Sequence, residues 1–516
     1  MRYRIHQIKI NVRDISDMDD ISGKCRLIEK EVKRRFRKKK PAVNDITIVR
    51  ESIDARHKPD IRLVYTADFD SDTDLPLDMA PTEVYRFPAP ERIAGSRPVI
   101  AGFGPCGMFA TLMLAEAGLH PLVIERGAPV DERIKDVEKF WKEGILDPES
   151  NVQFGEGGAG TFSDGKMTTG IKDIRIRKVL GEFVEAGADS SILYRHKPHI
   201  GTDRLRLVVK NIRKKIESLG GEIMFRTKLA GLDVSDEDGC RKLKGIYTEY
   251  TGSGSLARRH IETDKLILAV GHSARDTFEM LYDEGVLFMQ KPFSIGVRIE
   301  HPQSVIDRAQ YGDERLAEKL GAADYKLNHK CSSGRGVYTF CMCPGGIVIN
   351  ASSEKGTAVT NGMSNSGRDS GTANSGLLVD VRTGDFGSDH PLAGMEFQRK
   401  YERLAYENGA GELPATDLGS FSKDTGDPVR KSLPGFAAEA IIEAMPHLGR
   451  KLKGFDDDSA VLTAVETRSS SPVRIPRDSD FSCSIKGICP AGEGAGYAGG
   501  IMSAAVDGIK AAEKLL

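Results

Sequence analysis

The sequence lacks a disulfide framework and lacks an excess of charge of either sign. Its eight cysteines are few for 516 residues and show no spacing typical of a disulfide-stapled fold. The 74 lysines and arginines balance 75 aspartates and glutamates, so no overall field favours nucleic acid or an anionic membrane. Hydrophobic residues make up 39% and charged residues 29%. This composition is typical of a globular chain, and its length suggests roughly three domains.

Long uncharged segments are also scarce. Residues 99–119 carry a single charge, Glu116, over roughly the 20 residues that a membrane span needs. The glycines and the proline of this segment instead form the turn motif described below. The first ten residues contain neither an apolar core nor a small-residue cleavage site. We therefore expect no membrane span, and we expect a reducing, cytoplasmic location.

The first 94 residues have the pattern of a small separate α+β module. Alternating apolar and polar residues predict strands over residues 2–12, 45–52 and 61–66. The pattern of residues 21–36 predicts a helix. A proline-containing stretch without apolar periodicity follows, so we place a domain boundary near residue 95. Between Lys30 and Lys40 the module has eight basic residues and one acid. This segment could contact a phosphate backbone or could simply be a solvated helix face.

The motif with the most chemical content is GFGPCG at residues 102–107. It follows an apolar strand and opens a helix, and a second strand then ends at Glu125. Gly102 allows the tight turn, Gly104 lets the backbone approach a pyrophosphate, and Gly107 lets the helix pack closely on the strand. Glu125 is placed to accept from ribose hydroxyls. This complete strand, turn, helix and strand unit predicts dinucleotide binding.

Two further stretches, residues 155–160 and 494–499, match the same glycine pattern without its context. The first follows a polar segment, and the second stands too near residue 516 to be followed by another strand and an acidic residue. Neither predicts a second dinucleotide site. We therefore expect NAD(P)H, if it acts at all, only as a transient electron donor.

Taken together, these loops resemble a known superfamily. GFGPCG, the stretch FGEGGAGTFSDGK at 154–166, LILAVG at 266–271 and CPAGEGAGYAGG at 489–500 look like the glutathione-reductase-like FAD superfamily. The whole chain, including its N-terminal module, resembles the uncharacterised FAD-dependent dehydrogenases. This resemblance implies an α/β fold with a Rossmann-like FAD-binding domain, interrupted by an inserted α+β substrate or cap domain. We predict domains at 1–94, 95–285, 286–480 and 481–516, the last completing the FAD-binding domain.

The motif and the resemblance together define an expected FAD site. The segment 155–166 would lie beside the ribityl chain and the flavin ring, and Glu493 would accept from a ribityl hydroxyl. The helix starting near Gly500 would direct its positive end at the edge of the flavin that becomes negative on reduction. The predicted cofactor-binding residues are Gly102, Gly104, Pro105, Cys106, Gly107, Glu125, Arg126, Gly157, Gly158, Ser163, Lys166, Gly271, Gly492, Glu493, Gly499, Gly500 and Ile501.

Candidates for chemistry beyond the flavin are fewer. His301 ends a predicted strand and could exchange a proton, and Arg468 lies in a polar loop that could clamp an anionic substrate group. Arg368 is a weaker candidate. Cys341 and Cys343 flank one methionine; the superfamily's CxxxxC redox motif is absent, so a structural or cavity-lining role is favoured over thiol redox. No second Cys/His pair at ligand spacing indicates a metal.

These observations predict an FAD-dependent oxidoreductase that transfers a hydride through non-covalent FAD. They leave the substrate and the oligomeric state open, although the arginines favour a small molecule that could be anionic. Two alternatives stay open. The basic N-terminal module could deliver RNA to a flavin, or the protein could bind flavin as a redox sensor without turnover.

Overall fold

The structure is a computed structural model that describes residues 1–89, 96–252 and 258–516. The strands are β1 (Arg2–Asn11), β2 (Asn44–Asp54), β3 (Arg62–Asp70), β4 (Asp78–Met79), β5 (Val99–Ala101), β6 (Leu122–Ile124), β7 (Glu222–Met224), β8 (Thr227–Glu237), β9 (Cys240–Tyr250), β10 (Arg258–Glu262), β11 (Leu266–Leu268), β12 (Met289–Gln290), β13 (Phe293–Pro302), β14 (Asn328–Lys330), β15 (Gly336–Cys343), β16 (Ile347–Asn350), β17 (Thr360–Met363), β18 (Thr372–Val381), β19 (Ala415–Asp417), β20 (Val461–Glu466), β21 (Val473–Arg474) and β22 (Ile488–Pro490). The α-helices are α1 (Ile21–Arg35), α2 (Pro105–Glu116), α3 (Val130–Glu143), α4 (Arg175–Glu185), α5 (Thr202–Ser218), α6 (Arg275–Asp283), α7 (Gln303–Tyr311), α8 (Ala317–Leu320), α9 (Ala393–Asn408), α10 (Leu418–Lys423), α11 (Pro428–Lys431), α12 (Gly435–Lys451) and α13 (Ile501–Glu513).

A five-stranded parallel sheet forms the centre of the nucleotide-binding part. Its strand order is β22-β11-β5-β6-β7, and each pair is parallel. The strands are short and apolar because helices or other strands cover both faces. Strand β22 comes from the end of the chain and pairs with β11. The prediction of a Rossmann-like sheet completed by the C-terminal segment is therefore confirmed.

Two glycines allow the helices α2 and α13 to pack closely at the turn that follows β5. A Cβ atom at Gly107 would come within 1.9 Å of the Gly102 carbonyl oxygen, so α2 must start with no side chain there. A Cβ atom at Gly508 would come within 2.0 Å of the Cys106 carbonyl oxygen. Helix α13 therefore packs directly on the start of α2. No helix in the described ranges is long and apolar enough to cross a membrane.

The inserted part is built on a six-stranded sheet with the order β14-β15-β18-β13-β20-β19. Its strands β13 and β18 pair antiparallel along their full length, and α12 packs against this sheet. A separate three-stranded sheet, β10-β9-β8, lies between α5 and β11 in the chain. The inserted domain places its strand ends and loops over the carboxyl ends of the parallel strands.

The N-terminal module forms an antiparallel sheet with the order β2-β3-β1-β4 and is covered by α1. Its buried side chains join those of the inserted domain in one apolar cluster. The module also docks on the nucleotide-binding part, where the Glu51 backbone exchanges hydrogen bonds of 2.8 Å with Tyr194 and His196. The boundary predicted near residue 95 lies outside the described residues, so the domain limits stay predictions.

Candidate functional site

One cavity of about 1270 Å³ lies at the carboxyl ends of the parallel strands. The residues that follow β5, β6, β11 and β22 all reach it, as expected for a nucleotide-binding α/β sheet. The loop between α3 and α4, the inserted domain and the N-terminal module supply the remaining walls. The cavity is therefore shared by all parts of the chain.

The turn after β5 forms the first wall. Gly102 has a φ of 100°, a conformation that side chains disfavour. Gly104 caps α2 and Pro105 occupies its first turn, where helix N–H groups have no intrahelical acceptor and can meet an anion. Cys106 lines the same wall, whereas Gly107 does not and serves the helix packing described above.

Glu125 has a wider role than the predicted ribose contact. Its carboxylate lines the cavity and accepts hydrogen bonds from three backbone N–H groups, those of Phe103 at 2.7 Å and of Gly127 and Gly155 at 2.9 Å. Glu125 therefore holds three segments together: the turn at residues 102–107, called the phosphate turn below because we predict that it binds a pyrophosphate, the end of β6, and the next glycine loop. The neighbouring Arg126 also lines the cavity, but its guanidinium is engaged by Glu149 and Asp276.

The glycine loop after α3 forms the second wall. Gly158 passes so close to the phosphate turn that a Cβ atom there would lie 3.0 Å from the Gly104 Cα atom. Gly158, Ser163 and Lys166 line the cavity as predicted. Gly157 does not line the cavity, which corrects the prediction for that residue. Its N–H group donates to the Phe103 carbonyl oxygen at 2.9 Å and so supports the turn from behind.

The C-terminal wall contains Gly271, Glu493 and the start of α13. A Cβ atom at Gly271, Gly499 or Gly500 would meet no described protein atom within 4 Å, so the backbone there is open to the cavity. Gly492 is a further correction, because it packs behind this wall: its N–H group donates to Asp507 at 2.7 Å, and a Cβ atom there would lie 2.8 Å from the Cys106 Cβ atom.

An orphaned polar atom supports a bound group at this wall. The buried Nδ1 atom of His272 has no hydrogen-bond partner among the described residues, and His272 lines the cavity beside Gly271. Its Nε2 atom lies 3.5 Å from a Glu493 oxygen. The open glycine backbone, the helix start at Gly500 and this unsatisfied nitrogen together fit a long, polar, phosphate-containing cofactor such as FAD.

The protonation of Glu493 should be visible in the FAD-free protein. Burial raises the pKa of Glu493 to about 7, although Lys291 lowers it. When a carboxyl has a higher pKa in the folded state than in the unfolded state, the protein loses stability as the pH rises from the unfolded pKa to the folded pKa. The reason is that the folded state disfavours the charged form. We expect Glu493→Gln to gain up to about 3 kcal/mol of unfolding free energy relative to the wild type between pH 5 and pH 8. Urea unfolding of both FAD-free proteins at pH 5 and pH 8 measures the difference in unfolding free energy between them. The same difference at both pH values would contradict the prediction.

The inserted domain adds a wall of ion pairs. Arg368 makes a bidentate pair with the buried Asp164, its Nη2 atom lying 2.6 Å from one carboxylate oxygen, and Lys166 lies 3.7 Å from the same carboxylate. Deeper in the wall, Arg298 pairs with Glu466 at 2.7 Å. Burial lowers the pKa of Arg298, but Glu466, Cys343 and Cys341 together raise it by more. This wall therefore holds three cations and two acids in ion pairs.

The two predicted catalytic residues have different outcomes. His301 does not line the cavity: its Nε2 atom lies 2.9 Å from the Phe455 carbonyl oxygen, and its ring stacks on Phe455. His301 is thus a packing residue of the inserted domain. The prediction that it exchanges a proton does not fit this position. Arg468 does line the cavity, but it is bonded to Glu402 at 3.0 Å and to Ser353 at 2.6 Å, so it is not free to clamp a substrate.

Several cavity residues were missed by sequence reasoning because their contacts join distant parts of the chain. The N-terminal module contributes Arg4, His6 and Arg50, and the inserted domain contributes Glu466. No local motif marks these positions. His272 could have been found, since it directly follows the glycine that ends the LILAVG stretch.

One group of metal-ligand types lies outside the cavity. Ligand atoms of His329, Cys331 and Glu443 lie within 4.8 Å of one another. The Glu443 carboxylate already accepts hydrogen bonds from the Ser332 backbone and hydroxyl, and Cys331 donates to the Ala440 carbonyl oxygen. Because these atoms have protein partners, we assign no metal to the group.

Comparison with known proteins adds a family. The family described as "FAD-dependent protein, C-terminal domain-like" matches residues 292–469, and a domain of unknown function matches residues 2–70. An uncharacterized protein of Clostridium beijerinckii is 44% identical over 541 residues, covering 99% of this chain and 98% of that protein.

Similar solved structures have low identity. They include a geranylgeranyl bacteriochlorophyll reductase-like protein from Thermoplasma acidophilum (12% identity, 81% of this chain and 77% of that chain, TM-score 0.36). The 3-ketosteroid-Δ4-(5α)-dehydrogenase from Rhodococcus jostii RHA1 aligns at 12% identity over 81% of this chain and 95% of that chain, with a TM-score of 0.35. The FAD complex of glycerol-3-phosphate dehydrogenase from Bacillus halodurans aligns at 12% identity over 80% of this chain and 62% of that chain, less than two thirds of its length, with a TM-score of 0.36.

Proposed function

This chain belongs to the family of uncharacterised FAD-dependent dehydrogenases, and we propose that it transfers a hydride between non-covalently bound FAD and a small anionic substrate. FAD is the cofactor, and when bound it supplies the redox chemistry while the protein supplies position and electrostatics. Gly104, Glu125, Gly271 and the start of α13 at Gly500 would hold it.

The observation that supports the proposal is that one cavity joins an open glycine backbone to a charged wall. The phosphate turn and the start of α13 line this cavity, and so do Asp164, Lys166, Arg368 and Glu466. A substrate bound against this wall would lie next to a flavin held by the glycine side. The buried ion pairs are pre-oriented, so they could stabilise charge changes during transfer without reorganising.

The rim of the cavity favours an anionic substrate. Arg50 and Lys326 line the cavity and are exposed. The hydrogen-bond partner of Arg50 is the His196 ring at 2.7 Å, and burial and Arg50 lower the pKa of that histidine. The charge of Arg50 is therefore not neutralised there. The acid two residues before Lys326, Asp324, pairs with Lys197 at 2.7 Å. Exposed cations at a cleft attract anions by steering.

The RNA-modifying alternative receives less support. The basic segment between Lys30 and Lys40 does not line the cavity. Lys33 and Arg34 pair with glutamates of their own helix, and Arg35 donates to the His6 and Gln7 carbonyl oxygens. A small molecule entering at the rim is therefore favoured over a polymer that binds this helix.

The proposal is tested first by the visible spectrum of the purified protein, before and after incubation with FAD. We expect flavin bands, release of the flavin on denaturation, and loss of the bands under anaerobic conditions on adding a hydride donor. NADH and NADPH are tested separately from small hydroxy acids, because prompt bleaching by a nicotinamide would identify the donor. Absence of flavin after reconstitution would overturn the proposal. Bands that no donor or chemical reductant bleaches reversibly would favour a binding role without turnover.

The rim is tested by neutralising its two exposed cations. We expect the double variant Arg50→Gln and Lys326→Gln to bind benzoate about threefold to tenfold more weakly than the wild type, since each exposed charge contributes up to about 1 kcal/mol. Binding is followed by the change in flavin absorption, with neutral benzamide as the matched probe. The control variant Lys30→Gln and Lys38→Gln has the same charge change outside the cavity. Equal affinities for benzoate in both double variants would contradict the rim assignment.

A further inference from the structure

Strand β15 contains an irregularity at the cavity wall. Its pairing with β18 is regular up to Phe340 opposite Gly376, and resumes only at Cys343 opposite Asn374. Cys341 lies in the bulge with a φ of 43°, an uncommon backbone conformation for a residue other than glycine. Bulges re-aim side chains next to active sites. Here the bulge exposes Cys341 to the cavity, while Cys343 stays buried behind it.

The bulge keeps the two thiols together. Both cysteines are free, and they stand two residues apart in the irregular part of the strand. The Cys343 thiol donates a hydrogen bond to the Cys341 carbonyl oxygen at 3.3 Å. The pair is thus a dithiol with one member facing the cavity. Cys341 thus has the cavity-lining place that the sequence favoured, with a second thiol next to it in the chain.

Two cations hold the same bulge. Arg298 donates to the Cys341 carbonyl oxygen at 2.9 Å, and the Lys166 ammonium donates to the Met342 carbonyl oxygen. The hydrogen bond from Cys343 lowers the pKa of Cys341 well below its ordinary value, and Lys166 and Arg298 lower it further against the effect of burial. The hydrogen bond with Cys341 and burial raise the pKa of Cys343. One member is therefore poised as a thiolate and the other as its proton donor.

We propose that Cys341 and Cys343 form a redox-active dithiol that exchanges two electrons with the flavin. This inference rests on the proposed function, because it needs FAD in the cavity that Cys341 lines. In the oxidative direction the Cys341 thiolate and the Cys343 thiol form one S–S bond, the S–H bond of Cys343 breaks, and two electrons and that proton pass to FAD. The reduced flavin carries the same total charge as the thiolate that was consumed. The reverse step restores the dithiol.

The inference is tested by counting electrons. The air-oxidised, FAD-loaded protein is titrated anaerobically with dithionite, and we expect four electrons per FAD, two for the flavin and two for the disulfide. Cys341→Ser and Cys343→Ser should each take up two. Cys25→Ser, at a half-buried cysteine outside the cavity, is the matched control and should keep four.

A chemical measurement on the wild-type protein avoids any dependence on how the variants fold. Trypsin cleavage after Arg335 and Lys355 yields a peptide that contains Cys341 and Cys343 and no other cysteine. From the oxidised holoprotein this peptide should resist alkylation and should lack two hydrogen atoms. In the reduced, FAD-free protein at pH 6, Cys341 should react with iodoacetamide at least about tenfold faster than Cys25, because only the thiolate is nucleophilic.

The outcomes separate the two proposals. Four-electron uptake with a disulfide peptide supports the dithiol. FAD binding with two-electron uptake and full alkylation of the oxidised peptide overturns the dithiol and leaves the proposed function intact. Failure to bind FAD overturns the proposed function, and the exchange with it.

Discussion

Replacing Gly104 by valine should leave the protein folded and abolish its binding of FAD. Gly104 has a φ of -77° and a ψ of -175°, which a β-branched residue adopts readily. A Cβ atom there would meet only the Gly158 Cα atom, at 3.7 Å. The protein itself therefore tolerates a side chain at this position. The pyrophosphate does not, because the backbone must approach it closely.

We expect FAD to bind Gly104→Val at least about 100-fold more weakly, a loss of about 2.7 kcal/mol. The ratio of flavin to protein absorbance after reconstitution measures the loss, and circular dichroism checks the fold. Gly181→Val is the matched control, because Gly181 lies in α4 with no described atom within 4 Å of its Cβ position and outside the cavity. Normal flavin content in Gly104→Val would refute the assignment of the phosphate turn.

Replacing Glu402 by glutamine should destabilise the protein by about 3–5 kcal/mol, since it leaves the buried Arg468 without its counter-ion and the buried Arg275 with Glu354 alone. Glu402 on α9 is fully buried. Its carboxylate accepts from Arg275 at 2.7 Å and from Arg468 at 3.0 Å, and also from the Thr467 hydroxyl. Arg275 belongs to α6 of the nucleotide-binding part, so this network ties that part to the inserted domain.

The matched control for this prediction is Glu407→Gln, which makes the same change at an exposed position of the same helix. We expect the urea midpoint to fall clearly for Glu402→Gln and to stay near the wild-type value for Glu407→Gln. Burial raises the pKa of Glu402, but Arg275 and Arg468 lower it well below its ordinary value, so the carboxylate is charged at neutral pH. Equal midpoints for the two variants would show that the buried network contributes nothing to stability.

The placement of the N-terminal module gives the cavity a mouth that the nucleotide-binding fold alone would lack. The edge strand β2 contacts residues 194–196 through backbone hydrogen bonds. Lys24 and Glu51 form a buried pair at 2.7 Å behind this contact. The exposed Arg50 on the same strand lines the cavity. The module therefore acts as part of the substrate site in our proposal, and the rim variants test this role.

The sequence by itself determined the nucleotide-binding part, because that information is local. The turn at 102–107 is recognisable since its glycines must permit a tight turn, a close approach and a helix contact within six residues. The spacing from this turn to Glu125 follows from the length of one helix and one strand. The C-terminal strand and helix were recognisable for the same reason, and their pairing with β11 confirmed the interrupted domain.

Only the tertiary structure decided the chemistry of the opposite wall. Asp164 and Arg368, and likewise Arg298 and Glu466, are far apart in the chain and meet through packing of the inserted domain. The sequence made His301 a catalytic candidate because it ends a predicted strand. In the structure, strand β13 places its ring against Phe455. Our proposal for Cys341 and Cys343 depends on one bulge, a deviation from regular pairing that residue types alone do not encode. Such long-range contacts depend on how whole elements pack, so no local pattern in the chain could predict them.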